Sequence, residues 1–218
     1  MNYNYFRDYE AGTGRYVESD LIGLNGGLST YGYVGGNPML GIDPFGLEWI
    51  KYTGQELVLY AGDYGNLTTE LRRCKSSSGK YARAINYDYR TSQAQGVKNW
   101  GPTPEGRYSI NLRPDPNRMA QVRDGQLTPS PQGGIERIPA GGEQVWGTWR
   151  ARLSPAAGTD TLGRDNMYLH DSMKGQTSGC IETCSELRQD LLRLRNDGVR
   201  SIDVRVEYDG IISTSGWR

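Results

Sequence analysis

The chain has 218 residues, room for one to two domains, and its 25 Lys and Arg balance its 25 Asp and Glu. A neutral chain without a basic run argues against a nucleic-acid partner, and no apolar run nears the roughly 20 residues of a membrane span. Gly (30) stands near twice its usual share of about 7% and Tyr (15) far outnumbers Phe (2), which points to turn-rich β structure rather than long helices.

The N-terminus, "MNYNYFRDYE", lacks the basic-then-apolar order of a signal peptide. Residues 1–47 pack Gly, Tyr, Asn and Pro into short strand-and-turn units punctuated by Gly-Gly and Asn-Pro. Such a segment is too short to hold a core of its own, so it reads as the end of something larger. A second unit, 48–218, opens with "WIKYTGQELVLYAG", a predicted hairpin around Gly54-Gln55. Residues 61–95 are polar, and "KSSSGKY" reads as a loop. "GPTPEGRYSINLRPDP" reads as a turn followed by a strand through Tyr108, Ile110 and Leu112. Residues 114–143, rich in Pro, Gly, Gln and Asp, read as a long surface loop. Strands are expected over 143–155 and, short and buried, over 166–171.

The clearest helix is predicted after Cys180. In "IETCSELRQDLLRLRNDG", Cys184, Leu187, Leu191 and Leu194 fall on one helical face. Glu182 and Glu186 lie early, Arg193 and Arg195 late, and Asn196-Asp197-Gly198 supplies the stop. "SIDVRVEY" then alternates as a half-buried strand. The fold class is mainly β with one or two helices, an α+β chain.

The chemistry concentrates in "MYLHDSMKGQTSGCIETC", which holds the single histidine, His170, and two of three cysteines, Cys180 and Cys184. The reading places Cys180 at the start of a helix, where backbone N–H groups favour a thiolate. Gly179 permits close backbone approach there, unpaired N–H groups at the turn serve an oxyanion, and His170 is the one imidazole available as base. A zinc site from Cys74, His170, Cys180 and Cys184 has no recognised ligand spacing. Cys184 reads either as a helix-face core residue or as half of a disulfide with Cys74.

Two resemblances add to this. "YFRDYEAGTGRYVESDLIGLNGGLSTYGYVGGNP", followed by "GIDPFGL", resembles the C-terminal end of the Rhs/YD-repeat core over residues 3–47. That family forms a β shell around a toxin and ends in D-P-x-G-L, here Asp43-Pro44-Phe45-Gly46-Leu47. The resemblance implies self-cleavage after Leu47 by an aspartyl-protease-like pair, Asp20 and Asp43, one carboxyl holding a proton while the other activates water. Leu21 stands where that family usually carries Pro.

"YLH" followed by "SGCI" resembles the catalytic segment of L,D-transpeptidases. With "VKNWGPTPEGRYSI" (97–110) and Gly163-Arg164 ahead of His170, it is closest in pattern to the compact branch among type VI secretion effectors. The resemblance covers roughly 49–207. It implies an L,D-transpeptidase-like β-sandwich or barrel with a helix after the catalytic cysteine. Cys180 would be the nucleophile, His170 the base and Asp171 the residue that orients the imidazole, in that family often through its backbone carbonyl. Ser178 and Gly179 would shape the turn, with the Gly179 and Cys180 N–H groups as oxyanion donors. Glu182 replaces the Arg or Asn of the housekeeping enzymes, which leaves Arg150, Arg152 and Arg164 as candidates for a substrate carboxylate.

The implied protein is an antibacterial toxin on an Rhs C-terminus, without metal or cofactor, delivered by a secretion machine into a target periplasm. Its substrate would be the peptide stem of peptidoglycan, cleaved or exchanged at D-Ala through a thioester. Its partners would be the Rhs shell and an immunity protein. The alternatives are a cysteine peptidase or amidase on another stem bond, and a non-catalytic cell-wall or partner-binding module.

Overall fold

The computed structural model describes residues 2–4, 7–10, 12–19, 31, 48–62, 64, 68–172 and 174–216. Asp20, Asp43 and Leu47, the implied self-cleavage residues, lie outside the described residues, as does Leu21.

β1 (Asn2–Asn4), β2 (Arg7–Glu10) and β3 (Arg15–Tyr16) pair as a small antiparallel sheet. From Glu48 the chain builds two larger sheets. β4 (Glu48–Tyr52) and β5 (Glu56–Ala61) form the expected hairpin, turning at Gly54, whose φ of +105° suits glycine. β6 (Thr69–Lys75) follows antiparallel, and β7 (Ser77–Ser78) leaves for the second sheet. β8 (Tyr81–Ala82) and β9 (Tyr87–Asp88) make a short hairpin ahead of β10 (Gly106–Asn111). β11 (Val122–Arg123) and β12 (Gln126–Leu127) make another. Then come β13 (Ile135–Arg137), the one-turn helix α1 (Glu143–Trp146), β14 (Trp149–Arg152), β15 (Ser154–Pro155) and β16 (Tyr168–His170). β17 (Ile181–Glu182), α2 (Leu187–Asn196) and β18 (Ser201–Val206) complete the order.

The six-stranded sheet runs β15-β10-β18-β4-β5-β6 and the five-stranded one β13-β14-β16-β17-β7. Alternation puts Tyr108 and Ile110 of β10, Ile202, Val204 and Val206 of β18, and Leu57 and Leu59 of β5 into one buried cluster with Ile135, Trp149, Ala151, Leu169 and Ile181 of the second sheet. Leu187, Leu191 and Leu194 of α2 join the same cluster. The class is therefore mainly β with two helices, as the sequence indicated.

Four details differ from the expectations. α2 begins at Leu187 rather than beside Cys180, because 181–182 pair as a strand. Ser77–Ser78, read as loop, is a buried strand whose polar groups are hydrogen-bonded rather than solvated. Residues 114–143 contain β13, with Ile135 and Glu136 buried, so that stretch is only partly surface. In 143–155 a helical turn ending at Gly147, with a φ of +74°, precedes the strand. Cys74 of β6 and Cys184 are joined in a disulfide, one of the two readings left open for Cys184. Among the described residues no helix is long and apolar enough to cross a membrane.

Candidate active site

Strand register builds the site. β16 and β17 run parallel, with Leu169 opposite Ile181 and His170 opposite Glu182. Leu169 and Ile181 are fully buried in the core. Side chains alternate along a strand, so Tyr168, His170 and Glu182 face the other way. Cys180, one residue before β17, follows Glu182 to that face. β14 widens it, with Arg150 opposite His170 and, across β13, Glu136 opposite Arg150. Trp146 of α1 closes it, with its ring 5.2 Å from the His170 ring and 5.8 Å from that of Tyr168. Two residues ten positions apart in sequence are thus set at the end of one strand and just before the strand paired with it.

Both groups are buried, His170 to 3% and Cys180 to 8% exposure. Burial pushes the Cys180 thiol up to about 11, against the Tyr168 N–H and the charges of Arg150, Arg164 and Lys174, which favour the thiolate. Burial, then the charges of Lys174 and Arg150, hold His170 down at about 3. Near neutral pH the two groups are thus thiol and neutral imidazole rather than a standing ion pair. The low thiol pKa expected from a helix start is corrected: α2 begins seven residues later, so no helix terminus faces the sulfur.

The side chain beside the imidazole is that of Ser172. Ser172 Oγ lies 3.1 Å from His170 Nδ1 and donates to Glu182 Oε1, which also accepts the Lys174 N–H at 2.8 Å. The Asp171 side chain is directed to β14. Its Oδ1 accepts the N–H groups of Thr148 (2.6 Å) and Trp149 (3.1 Å), and its Oδ2 accepts the Thr148 hydroxyl (2.7 Å). Asp171 thereby anchors the start of β14, and Gly147 leaves room for it, since a Cβ there would strike Asp171.

Hydroxyls fix the turn that carries Cys180. Ser78 Oγ donates to the Cys180 carbonyl at 2.7 Å, Thr177 Oγ1 donates to the same oxygen, and Thr103 Oγ1 donates to the Gly179 carbonyl at 2.7 Å. The Gly179 N–H, a candidate oxyanion donor, is directed to Thr177 Oγ1 at 3.2 Å. Ser178 is exposed. Gly179 has φ +110°, and a Cβ on it would collide with the Arg164 guanidinium, so both conformation and space require glycine. No sequence pattern marked Ser78, Thr103, Ser172, Thr177 or Trp146 in advance, and the polarity of "KSSSGKY" pointed to a solvated loop rather than to buried hydroxyls.

The three arginines offered for a substrate carboxylate are engaged inside the fold. Arg150 is 1% exposed and pairs with Glu136, its Nε 2.9 Å from Oε2, while Nη2 donates to the Thr128 carbonyl at 2.6 Å. Arg118 Nη2 reaches the other oxygen of Glu136 at 3.0 Å. Arg152 donates to the Ser130 carbonyl at 2.7 Å. Arg164 donates to the carbonyls of Gln95 (2.7 Å), Gly101 (3.0 Å), Pro102 and Ser178 (3.4 Å), tying the 95–102 loop to the turn before Cys180. The alternative zinc set is unavailable, because Cys74 and Cys184 are spent on each other.

The Tlde1 domain model matches residues 86–207, more than half of the chain and the whole of this face from β13 to β17. The chain belongs to the Tlde1 domain family. Tlde1 domains are toxin effectors of type VI secretion. Outside the family, the chain is 58% identical over 45 residues to a probable deoxyribonuclease RhsA of Dickeya dadantii and 47% identical over 47 residues to double-stranded DNA deaminase toxin A of Burkholderia cenocepacia. These stretches are 21% and 22% of this chain, which spans only 3% of each relative. The solved structure of Bdellovibrio bacteriovorus Bd1075 superposes on 76% of this Tlde1 chain and 50% of its own, with a TM-score of 0.39 and 13% identity.

Proposed function

We propose that this Tlde1 domain is a cysteine-dependent acyltransferase that acts on the peptide stem of peptidoglycan, as an L,D-carboxypeptidase or D-amino acid exchanger. The observation that supports the reading is that β16, which ends at His170, pairs with β17, which starts directly after Cys180, while three hydroxyls hold the carbonyls of the turn at Gly179 and Cys180. His170 takes the thiol proton as Sγ attacks the carbonyl between the third stem residue and D-Ala. The C–N bond breaks, the amine of D-Ala leaves with the proton that His170 held, and a thioester remains. Water, or the amine of a free D-amino acid, attacks the thioester and returns the thiol. With Arg150, Arg152 and Arg164 engaged, carboxylate recognition is left to other cations at the mouth, among which Lys174 is exposed and close enough to bias both His170 and Cys180.

The disulfide between Cys74 and Cys184 supports action in an oxidising compartment such as a target periplasm. Within this reading residues 1–47 are an Rhs-type tail, 48–218 the toxin, and the partners a secretion machine, an Rhs shell and an immunity protein. The matched length of 45 residues to the Rhs relative equals that of residues 3–47, which fits a shared tail carrying different toxins. If that tail cleaves itself, the intact mass of the wild type falls by the mass of residues 1–47 while Asp43→Asn keeps full length; equal masses reject self-cleavage.

The test of the activity is mass spectrometry of disaccharide-tetrapeptide incubated with the protein, with and without a free D-amino acid, beside Cys180→Ala. Loss of D-Ala, or its replacement, that depends on Cys180 supports the proposal. Cleavage at another stem bond indicates a peptidase or amidase, and wall binding unaffected by Cys180→Ala indicates a binding module. The names of the two relatives make double-stranded DNA the control substrate, and Cys180-dependent damage to it would overturn the proposal.

A further inference from the structure

We infer that Ser172 and Glu182 are positioning residues that hold His170 in the tautomer protonated on Nδ1, leaving Nε2 as the proton acceptor. The inference deepens the proposed acyl-transfer reading and rests on it for its catalytic meaning. Proton counting carries it. A serine hydroxyl has one proton to give. The Ser172 proton goes to Glu182 Oε1, and the same Oγ lies 3.1 Å from His170 Nδ1. Oγ can then only accept from that nitrogen, so Nδ1 must carry hydrogen. A neutral imidazole has one N–H, so Nε2 keeps its lone pair.

The direction of the chain is set at its far end. Glu182 Oε1 accepts a second donor, the Lys174 N–H at 2.8 Å, as a carboxylate oxygen readily does. Register places Glu182 there: it is the residue of β17 directly opposite His170, and Ser172 bridges from two residues beyond His170. Asp171, the sequence neighbour, is committed to the N–H groups of β14. A wrong tautomer costs a Ser-His-Asp enzyme about 10⁴-fold in kcat, so a residue that sets the tautomer has a measurable role without touching substrate.

The single histidine makes the test direct. Untagged protein with ¹⁵N-labelled histidine gives one imidazole in a long-range ¹H–¹⁵N spectrum, in which the coupling pattern distinguishes Nδ1–H from Nε2–H. The wild type should show Nδ1 protonated and Nε2 bare at neutral pH. Ser172→Ala and Glu182→Leu should lose this preference and lower kcat at least about tenfold. Glu182→Gln, which keeps an acceptor oxygen for Ser172 and for the Lys174 N–H, should retain the tautomer. A wild type protonated on Nε2 overturns the inference without any variant, as does an unchanged tautomer in both folded disrupting variants. A correct tautomer in a protein inert toward every stem peptide would leave the relay standing and sink the proposed reaction instead.

Discussion

The two faces of the β14–β16–β17 sheet share one backbone and do opposite things. Toward the core, Ala151, Leu169 and Ile181 are fully buried among other apolar side chains. On the reverse, Arg150, His170, Cys180 and Glu182 are nearly as buried, yet each is polar or titratable. The core face is stabilised by desolvation, whereas on the other face desolvation is the cost. It lifts the Cys180 thiol and the Glu182 carboxyl and depresses His170. One face should therefore govern stability and the other chemistry, and substitutions can separate the two.

The largest effect is expected from Cys180→Ala. Under the proposed reaction, loss of the Cys180 thiol should lower turnover about 10⁴-fold or more, while urea unfolding shifts by no more than about 1 kcal/mol, because a small buried side chain is replaced by another. A large fall in stability would mean that Cys180 is mainly a core residue. Leu169→Ala, one residue along from His170, should behave in the opposite sense. Removing a fully buried leucine costs about 2–5 kcal/mol, read by the same unfolding curve, and the folded fraction should keep its Cys180-dependent turnover.

His170 gives a smaller, pH-dependent signature. Its folded pKa, about 3, lies below the ordinary value of 6.5, so the unfolded chain takes the proton first. Its contribution is fully present above 6.5 and is lost as pH falls from there toward 3, by about 1.4 kcal/mol per pH unit. His170→Gln should lack that slope, so wild-type and variant unfolding curves should diverge between pH 6.5 and 4. Parallel curves would show that the imidazole is not held neutral by burial.

The apolar face was the more legible in sequence, for a physical reason. Alternation at Tyr108, Ile110, Ile202, Val204 and Val206 marks strands by itself, and Gly54-Gln55 marks the hairpin turn. The start of α2 was misplaced because Cys184 happens to continue the spacing of Leu187, Leu191 and Leu194, although the disulfide and not a helix accounts for its burial. Ser77–Ser78 carries no apolar signal, since its burial is compensated by hydrogen bonds. At the site, the unique imidazole and the Ser-Gly-Cys turn were visible as local chemistry. Ser172 and Glu182 were not, because their relation to His170 depends on a parallel register that no local pattern encodes. Asp171 entered through the resemblance and the arginines through the fit of guanidinium to carboxylate, while the partners of their side chains lie on strands and loops distant in sequence.

Glu182→Gln should produce the smallest shift and the sharpest separation of the two faces. Burial raises the Glu182 pKa above its ordinary value, against the Ser172 hydroxyl, the N–H and charge of Lys174, and the N–H of Gly175, all of which favour the anion. A group whose folded pKa is raised contributes stability that is fully present below the unfolded value, about 4.3, and is lost as pH rises through the folded one. By neutral pH burial of this carboxyl therefore weighs against the fold, and an uncharged amide of the same shape removes that penalty. The variant should melt higher than wild type at pH 7, with the gain vanishing below about pH 4.3. Turnover should fall nonetheless, because the negative charge that favours a protonated His170 during thiol attack is gone. A variant that melts lower at pH 7 would make Glu182 a structural support, and the division between a stabilising face and a chemical face would fail at the residue where desolvation and function oppose each other most directly.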